Sequence, residues 1–549
     1  MTESPRPKSW LAVLLTVMVA WEGVAFRAQV PQLVVLIVVD QLRADLLERY
    51  EPYLSGGFRR LLDEGRWFRQ ALVDHAITNS APGHATVATG VVPATHGIVG
   101  NDWFQRDAGG QWRLVSNDDD PDAGIVGAPG LPGVSPRRRL VDGLGDWIAA
   151  ADGRAQVVAV GQGPTSTMAL AGRSGGHAYF FSSSVGRYVT SSYFRDAYPG
   201  WVDRFNRQAL PTSLNIASWD LVAPAGALRL ARRDAAGYEA DGIHTTFPHR
   251  FRDETEASAV EDPAAFARWF SGTPMLDEAT LALASTAVDA LRLGDRGVVD
   301  YLGVNVSSLD DVGHAYGPMS VEQLDALLRL DRALGSLFAR LDESVGVGGY
   351  LVALTADHGV ANVPEFEQEH RRPGRRIDRQ TLDRLIDAAV IAAGDRDAGP
   401  GDWPERVAER LEQYDFVADV MTTSELGSDA AGDPFIALYH NSFRPDRVVQ
   451  FPVRQTADGA SLAPLGLIVR FTEGTIPDYA PAVHGSPYLY DRHVPLLFMG
   501  PGVEPGVSDE PVRTVDVAPT LAALAGIPPP SGLDGRPLRL GRQPQAGKW

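Results

Sequence analysis

The 549-residue sequence contains no cysteine. A disulfide framework and a lipid-attachment cysteine are therefore excluded. Positive charge is also in short supply, with a formal net charge of −19. A nucleic-acid backbone or an anionic membrane surface is thus a poor partner. An acidic protein acting on an anionic substrate needs local positive charge, and bound metal ions are one source. Past the N-terminus no segment has the length and apolarity of a membrane span, and no internal repeat is present. What is there is globular: 44% hydrophobic and 22% charged residues exclude a mostly disordered chain. The length accommodates one large domain with insertions or several smaller ones.

The N-terminus has the layout of a secretory signal peptide. Arg6 and Lys8 precede an apolar run from Trp10 to Trp21, followed by Gly23, Val24 and Ala25. The run is too short to span a bilayer comfortably. Cleavage after Ala25 or Ala28 would leave a mature chain without stable membrane insertion, in the periplasm or secreted. The expected organisation is a signal peptide over 1–28 and a single catalytic domain over 29–549. Two stretches, about 104–272 and about 362–480, read as insertions capping one end of that domain.

Val34 to Val39 is a continuous apolar, β-branched run ending in Asp40. It predicts a strand buried on both faces, as in a parallel sheet. Val157 to Val160, Tyr301 to Val306, Tyr350 to Leu354 and Val494 to Phe498 look alike. Helical patterns lie between them, the clearest over Ser320 to Asp342, with Ser320 and Gln323 as a capping box. Others run over Asp277 to Leu293 and Asp516 to Leu524. Alternating strands and helices predict an α/β three-layer sandwich with a mainly parallel central sheet.

Ligands of such sheets bind beyond the carboxyl ends of the strands. Asp40 closes the first run. Asp310 and His314, in SSLDDVGH, follow the run ending at Val306. Asp357 and His358, in LTADHG, follow the run ending at Leu354. His484 lies just before the last run. A carboxylate buried at a strand end is costly unless paired or metal-bound. Three strand ends carrying Asp, two of them with His, suggest a site for two cations. Mixed Asp and His ligands suit zinc rather than a calcium cage. The stretch TNSAPGHATVATG, Thr78 to Gly90, places Ser80 just ahead of a helix-capable run. A hydroxyl at a helix start sits where unpaired N–H groups and the dipole favour negative charge. Between two cations it can lose its proton and attack a phosphoryl group.

The motifs VVDQLRAD at 38–45, SAPGHATVATG at 80–90, HGIVGNDW at 96–103, DDVGHAYGP at 310–318, TADHG at 355–359 and HGSPYLYDRHVPLLF at 484–498 occur in an order that resembles the alkaline phosphatase superfamily. The resemblance is to the branch of periplasmic alkaline phosphatases and type I phosphodiesterase/nucleotide pyrophosphatases. It implies two Zn2+, one on Asp40, Ser80, Asp357 and His358, the other on Asp310, His314 and His484. Ser80 would take the phosphoryl group, forming a phospho-enzyme, and Asn101 would donate to a non-bridging oxygen. Asp311 is a rival to Asp310, but the D-x-x-G-H spacing favours Asp310. His84 and His96 read as structural. The resemblance also implies a monomer acting on small-molecule phosphate esters.

One departure matters. Phosphomonoesterases of this branch carry a Lys-x-Arg pair after the strand matching Val157 to Val160, and here those places hold Gly163 and Thr165. Arg173 and Arg187 are nearby but not at the matching spacing. The expected substrates therefore lean to phosphodiesters or nucleotides, with a broad-specificity alkaline phosphomonoesterase as the alternative. A sulfatase would need an Arg where Ser80 is followed by Ala-Pro-Gly-His. A manganese-dependent mutase-type relative would be cytoplasmic, which the signal segment opposes. An inactive secreted binding protein is opposed by the filled ligand positions.

Overall fold

The computed structural model describes residues 30–210, 217–257, 262–394, 403–427, 434–449 and 466–541. The expected signal segment and the last eight residues lie outside these. No helix among the described residues is long and apolar enough to cross a membrane.

Nine strands make the frame: β1 (Leu33–Val39), β2 (Arg66–Leu72), β3 (Val157–Gly161), β4 (His177–Ser182), β5 (Arg187–Ser191), β6 (Asp300–Val306), β7 (Tyr350–Thr355), β8 (His493–Met499) and β9 (Gly506–Ser508). They lie in the order β9-β2-β8-β7-β1-β6-β3-β4-β5 within one sheet. The central run from β7 to β4 is parallel throughout. All seven residues of β1 are fully buried, because both of its faces are covered by helices. Each such Val, Leu or Ile contributes about 1.5–3 kcal/mol, and that two-sided burial is what the unbroken apolar run encodes. The expected sandwich with a mainly parallel sheet is thus the observed one.

Two features of the sheet differ from the expectation. β8 runs antiparallel to both β7 and β2. Its apolar run reports burial on two faces, which is indifferent to strand direction. In addition, the stretch 104–272 adds β4 and β5 beyond β3, with β5 antiparallel to β4. β5 interleaves polar and apolar residues, and the apolar run of β4, Ala178 to Phe181, is aromatic rather than β-branched.

The helix α1 (Ser80–Thr89) lies among the buried layers, with nine of its ten residues inaccessible. It ends at Gly90, in the left-handed conformation at φ +71°, which glycine adopts without strain. Further along lie α2 (Met275–Leu291), α3 (Ser308–Tyr316) and α4 (Val321–Ser344). As the sequence predicts, Ser320 caps α4 by accepting from the Gln323 backbone N–H at 2.9 Å. Buried Asp325 of α4 accepts from the Trp219 indole and from the Val222 and Ala223 backbone N–H groups at 2.7–2.8 Å. That carboxylate ties part of the stretch 104–272 to the main body. Within 362–480, strands Val417–Thr422 and Leu467–Phe471 pair antiparallel. With helices Arg379–Ala392 and Trp403–Leu411 they enclose a separate apolar cluster around Ile386, Val407 and Phe416.

Close approach of α1 to the loop after β7 is possible only because residue 83 is glycine. A Cβ there would lie 2.5 Å from the Asp357 carbonyl oxygen and 2.6 Å from the Asp357 Cβ. Both obstacles are backbone or the root of a side chain and cannot swing away. Gly83→Ala is expected to cost about 1–3 kcal/mol and to displace Ser80 from Asp357. A thermal melt lowered by several degrees, with a larger fractional loss of turnover than of folded protein, is the expected result.

Candidate functional site

Sheet register brings the acidic strand ends together. Val39 pairs with Val306, and Val38 with Thr355. Asp40, Ser307 and Asp357, one or two residues further on, therefore emerge on one edge. The Asp40 N–H donates to the Val306 carbonyl at 2.9 Å, and the Ser307 hydroxyl donates to Asp40 Oδ2 at 3.1 Å. Helix α3 starts at Ser308 and carries Asp310 and His314 one turn apart, with Asp310 Oδ1 3.3 Å from His314 Nε2.

His484 arrives from the loop before β8, its Nε2 3.6 Å from Asp310 Oδ1. Its ring stacks on His358 with centroids 3.7 Å apart and lies 5.0 Å from that of His314. His358 Nε2 is 3.4 Å from Asp40 Oδ1, 3.3 Å from Asp357 Oδ2 and 3.4 Å from the Ser80 hydroxyl. Ser80 opens α1, and Asn101 Oδ1 accepts from the following N–H, that of Ala81, at 2.8 Å. That bond turns the Asn101 NH2 group away from the helix. Both side chains line a cavity of about 930 Å3, together with Asp40, Asp310 and Asp311. Asp40, Ser80, Asn101, Asp310, His314, Asp357, His358 and His484 thus fall in one place. Asp310, not Asp311, is the carboxylate facing the imidazoles.

The three imidazoles are oriented alike. The Nδ1 of His314 meets the Ala482 carbonyl at 2.7 Å, that of His484 the Thr78 carbonyl at 2.7 Å, and that of His358 the Gly359 carbonyl at 3.0 Å. A carbonyl only accepts, so Nδ1 carries a proton and the Nε2 of each ring turns inward. This is the ligand form of histidine with its outer support. His84 behaves otherwise. Its Nε2 accepts from Asn305 at 2.8 Å, and its Nδ1 faces the Ser80 carbonyl at 2.8 Å and Asp357 Oδ2 at 3.1 Å. It serves as a strut between α1, β6 and the Asp357 loop, in keeping with its structural reading. His96, buried against Thr86 and the Ile98 N–H, is structural as well.

Electrostatically the cluster is short of positive charge. Burial, then the neighbouring Asp357 and Asp310 charges, holds the Asp40 carboxyl well above the usual range. Burial pushes Asp357 up to about 8. Burial would raise Asp310 too, but His314 and the other two imidazoles outweigh it and hold Asp310 well below the carboxylate range. Burial would lower His314, yet Asp310 raises it to about 9. Burial lowers His358 strongly and takes His484 to about 4. Asp40 and Asp357, hydrogen-bonded to each other and close to the Asp310 charge, cannot both ionise easily without a counter-charge. Asp40 Oδ1 and Asp357 Oδ2 are also buried with no hydrogen-bond donor. Divalent cations fit both deficits, and ligand atoms do converge. Asp310 with His314 and His484, Asp40 with His84 and Asp357, and Asp40 with Asp310 and His358 each place one ligand atom per residue within 4.8 Å of the others.

Residues the sequence did not single out hold this arrangement. Gln41, at φ +62°, donates its amide to Asp310 and its backbone N–H to Asp357 Oδ1 at 3.2 Å. Gly313 makes room for it, since a Cβ there would overlap Gln41 Oε1. Asn305 and Ser307 brace His84 and Asp40. The only local signal for Gln41 was its place in the VVDQLRAD motif.

A parallel-centred α/β sheet with a helix-start serine set among strand-end Asp and His groups defines a phosphoric ester hydrolase of the alkaline phosphatase type. Residues 34–453 match the type I phosphodiesterase / nucleotide pyrophosphatase family, and the chain belongs to that family within the alkaline phosphatase superfamily. It is 30% identical to alkaline phosphatase PafA of Elizabethkingia meningoseptica, over 97% of this chain and 98% of the other. It is 31% identical to alkaline phosphatase PhoV of Synechococcus elongatus, over 92% of each. The crystal structure of wild-type PafA superposes with a TM-score of 0.82 at 29% identity, covering 93% of this chain and 99% of that one. A PafA variant with a threonine changed to serine, and an asparagine, a lysine and an arginine changed to alanine, gives 0.81 at 29% identity, covering 93% and 98%.

Proposed function

We propose that this protein is an exported, two-zinc phosphoric ester hydrolase that uses Ser80 as its nucleophile and prefers phosphodiesters or nucleotides. Asp40, Ser80, Asp357 and His358 would hold one cation, and Asp310, His314 and His484 the other. Bound cations would supply Lewis acidity, lowering the pKa of the Ser80 hydroxyl and neutralising charge on the phosphoryl oxygens. Ser80 Oγ then bonds to phosphorus while the ester oxygen leaves, and water later releases the phosphoryl group from Ser80. Asn101 offers its NH2 group to a non-bridging oxygen in the transition state. His84 and Gln41 keep Ser80, Asp357 and Asp310 in register. The N-terminal charge and hydropathy layout supports export.

The observation that carries the diester reading is the cavity wall. Among the described residues lining the cavity of Ser80 and Asn101, none is Lys or Arg. The four residues altered in the PafA variant fall at the same intervals as Ser80, Asn101, Gly163 and Thr165 here, so a lysine and an arginine of that phosphatase correspond to glycine and threonine. The neighbouring arginines do not compensate. Arg173 pairs with Asp142 at 3.1 Å, and Arg187 is spent on the Gly127 carbonyl. A monoester dianion carries one more charge than a diester monoanion, and a charge-assisted hydrogen bond contributes about 1.5–3 kcal/mol. The monoester therefore loses more where such cations are missing. The names of the alkaline phosphatase relatives favour the alternative, a broad monoesterase.

Turnover of a nitrophenyl monoester and of methyl nitrophenyl phosphate separates the two. The diester is expected to have the higher kcat/KM, and a hundredfold monoester preference contradicts the reading. The reverse experiment is available because a Cβ at Gly163 meets nothing within 4 Å. Gly163→Lys with Thr165→Arg is expected to raise monoester kcat/KM by roughly 10²-fold or more, with little gain for the diester.

A further inference from the structure

A second cavity, of about 310 Å3, adjoins the first, with Asn101 and Leu114 lining both. His484 forms part of its wall, and the rest is dominated by large apolar and aromatic side chains, among them Trp103, Ile468, Phe471, Tyr479 and Tyr490. Ile468, Phe471 and Tyr479 come from the stretch 362–480, and Phe104 and Leu114 of the same lining from 104–272. The walls are braced from behind. The Arg447 guanidinium lies 5.0 Å over the Trp103 ring, and the Tyr488 hydroxyl donates to the Phe471 carbonyl at 2.6 Å. The polar groups in the wall are partly engaged, with Arg470 Nε and Asp491 Oδ1 lacking a hydrogen-bond partner among the described residues. Arg470 pairs with Asp419 at 3.3 Å and sits 4.5 Å over the Phe435 ring. Asp491 accepts from the Ser486 N–H and hydroxyl at 2.8 and 2.6 Å. The groove thus offers ring faces and few free hydrogen-bonding groups, at the size of one or two aromatic rings.

We propose that this groove binds the leaving alcohol of the substrate and selects phosphate esters whose leaving group is a flat apolar ring system. The proposal rests on Ser80 attacking as described above. In-line displacement sets the entering and leaving oxygens on opposite sides of phosphorus. Ser80 lies against His358, so the leaving oxygen points toward the Asp310, His314 and His484 trio. The groove opens beside His484, in that direction. Leu114 and Tyr479, 43% and 44% exposed, stand at its mouth and can be truncated without opening the core.

The test compares methyl 2-naphthyl phosphate with methyl hexafluoroisopropyl phosphate, whose leaving alcohols are of similar acidity but differ in shape. Wild-type protein is expected to favour the naphthyl ester in kcat/KM by about tenfold or more, mostly through KM. In Leu114→Ser combined with Tyr479→Ala that ratio is expected to fall roughly tenfold. A wild-type ratio near one, or a ratio the double variant leaves unchanged, overturns the groove assignment while leaving the hydrolase standing. Absence of turnover of both esters by wild-type protein that still hydrolyses a nitrophenyl monoester instead overturns the diester reading, and the groove assignment with it.

Discussion

Ser80→Ala is expected to lower kcat/KM toward every phosphate ester by about 10⁴-fold or more while leaving the thermal transition within a few degrees of wild type. The expectation follows from placement. The Ser80 hydroxyl is the alcohol lying 3.4 Å from His358 Nε2 at the edge of the acidic cluster. Its backbone, not its hydroxyl, carries the structural load, because the Ser80 carbonyl accepts from His84 and the next N–H donates to Asn101. Removing the hydroxyl therefore removes chemistry and little packing. Ser80→Thr keeps the hydroxyl and is expected to retain most activity. Rapid quench with a labelled substrate should trap the phosphoryl group on wild-type protein and on the threonine variant, and not on the alanine variant. Retention of more than a tenth of wild-type turnover by Ser80→Ala would remove the serine from the mechanism.

The second large effect concerns the carboxylates. Chelator-treated protein is expected to lose turnover altogether and to melt about 10 °C or more below the untreated protein. The buried Asp40 and Asp357 then lie beside Asp310 with the His314 imidazole, paired to Asp310, as the nearby positive charge, and one oxygen each of Asp40 and Asp357 lacks a hydrogen-bond partner among the described residues. Asp357→Asn should separate stability from function. It removes one of the crowded charges while keeping an oxygen to accept from the Gln41 and His358 N–H groups. The chelator-treated variant is expected to be more stable than chelator-treated wild type by at least about 1 kcal/mol, yet inactive with or without added zinc. If Asp357→Asn instead destabilises the chelated protein, the carboxylate is an ordinary structural acceptor and the charge argument fails.

Much of this was legible in the chain itself. Residues buried on both faces of a sheet must be apolar without alternation, so β1, β6 and β7 stand out, and the acidic and histidine residues shortly after them form the candidate site. Asp40, Asp310, His314, Asp357 and His358 could be found that way because a strand end fixes where they emerge. Strand direction could not be read, since the antiparallel β8 carries an apolar run like those of the parallel strands β1 and β7. Nor were β4 and β5 singled out, the first an aromatic run from Ala178 to Phe181 and the second alternating polar and apolar residues at the margin of the sheet. The bracing contacts were hidden for a different reason. Gln41 meets Asp310, and Asn305 meets His84, across hundreds of residues, so no local pattern marks them. The apolar groove likewise assembles Trp103 and Tyr490 from opposite ends of the chain. Whether an arginine replaces the missing Lys-x-Arg pair also depends on tertiary placement, and among the described residues no Lys or Arg lines the cavity of Ser80.

The central claim is that strand-end acids and imidazoles hold paired cations around one serine. Elemental analysis of protein purified without chelator, alongside His314→Ala and His484→Ala, tests it most directly. The account predicts two zinc ions per wild-type chain and about one in each variant, the remaining ion being the one next to Ser80. A metal-free wild-type chain that hydrolyses phosphate esters at full rate in the presence of a strong chelator would contradict it.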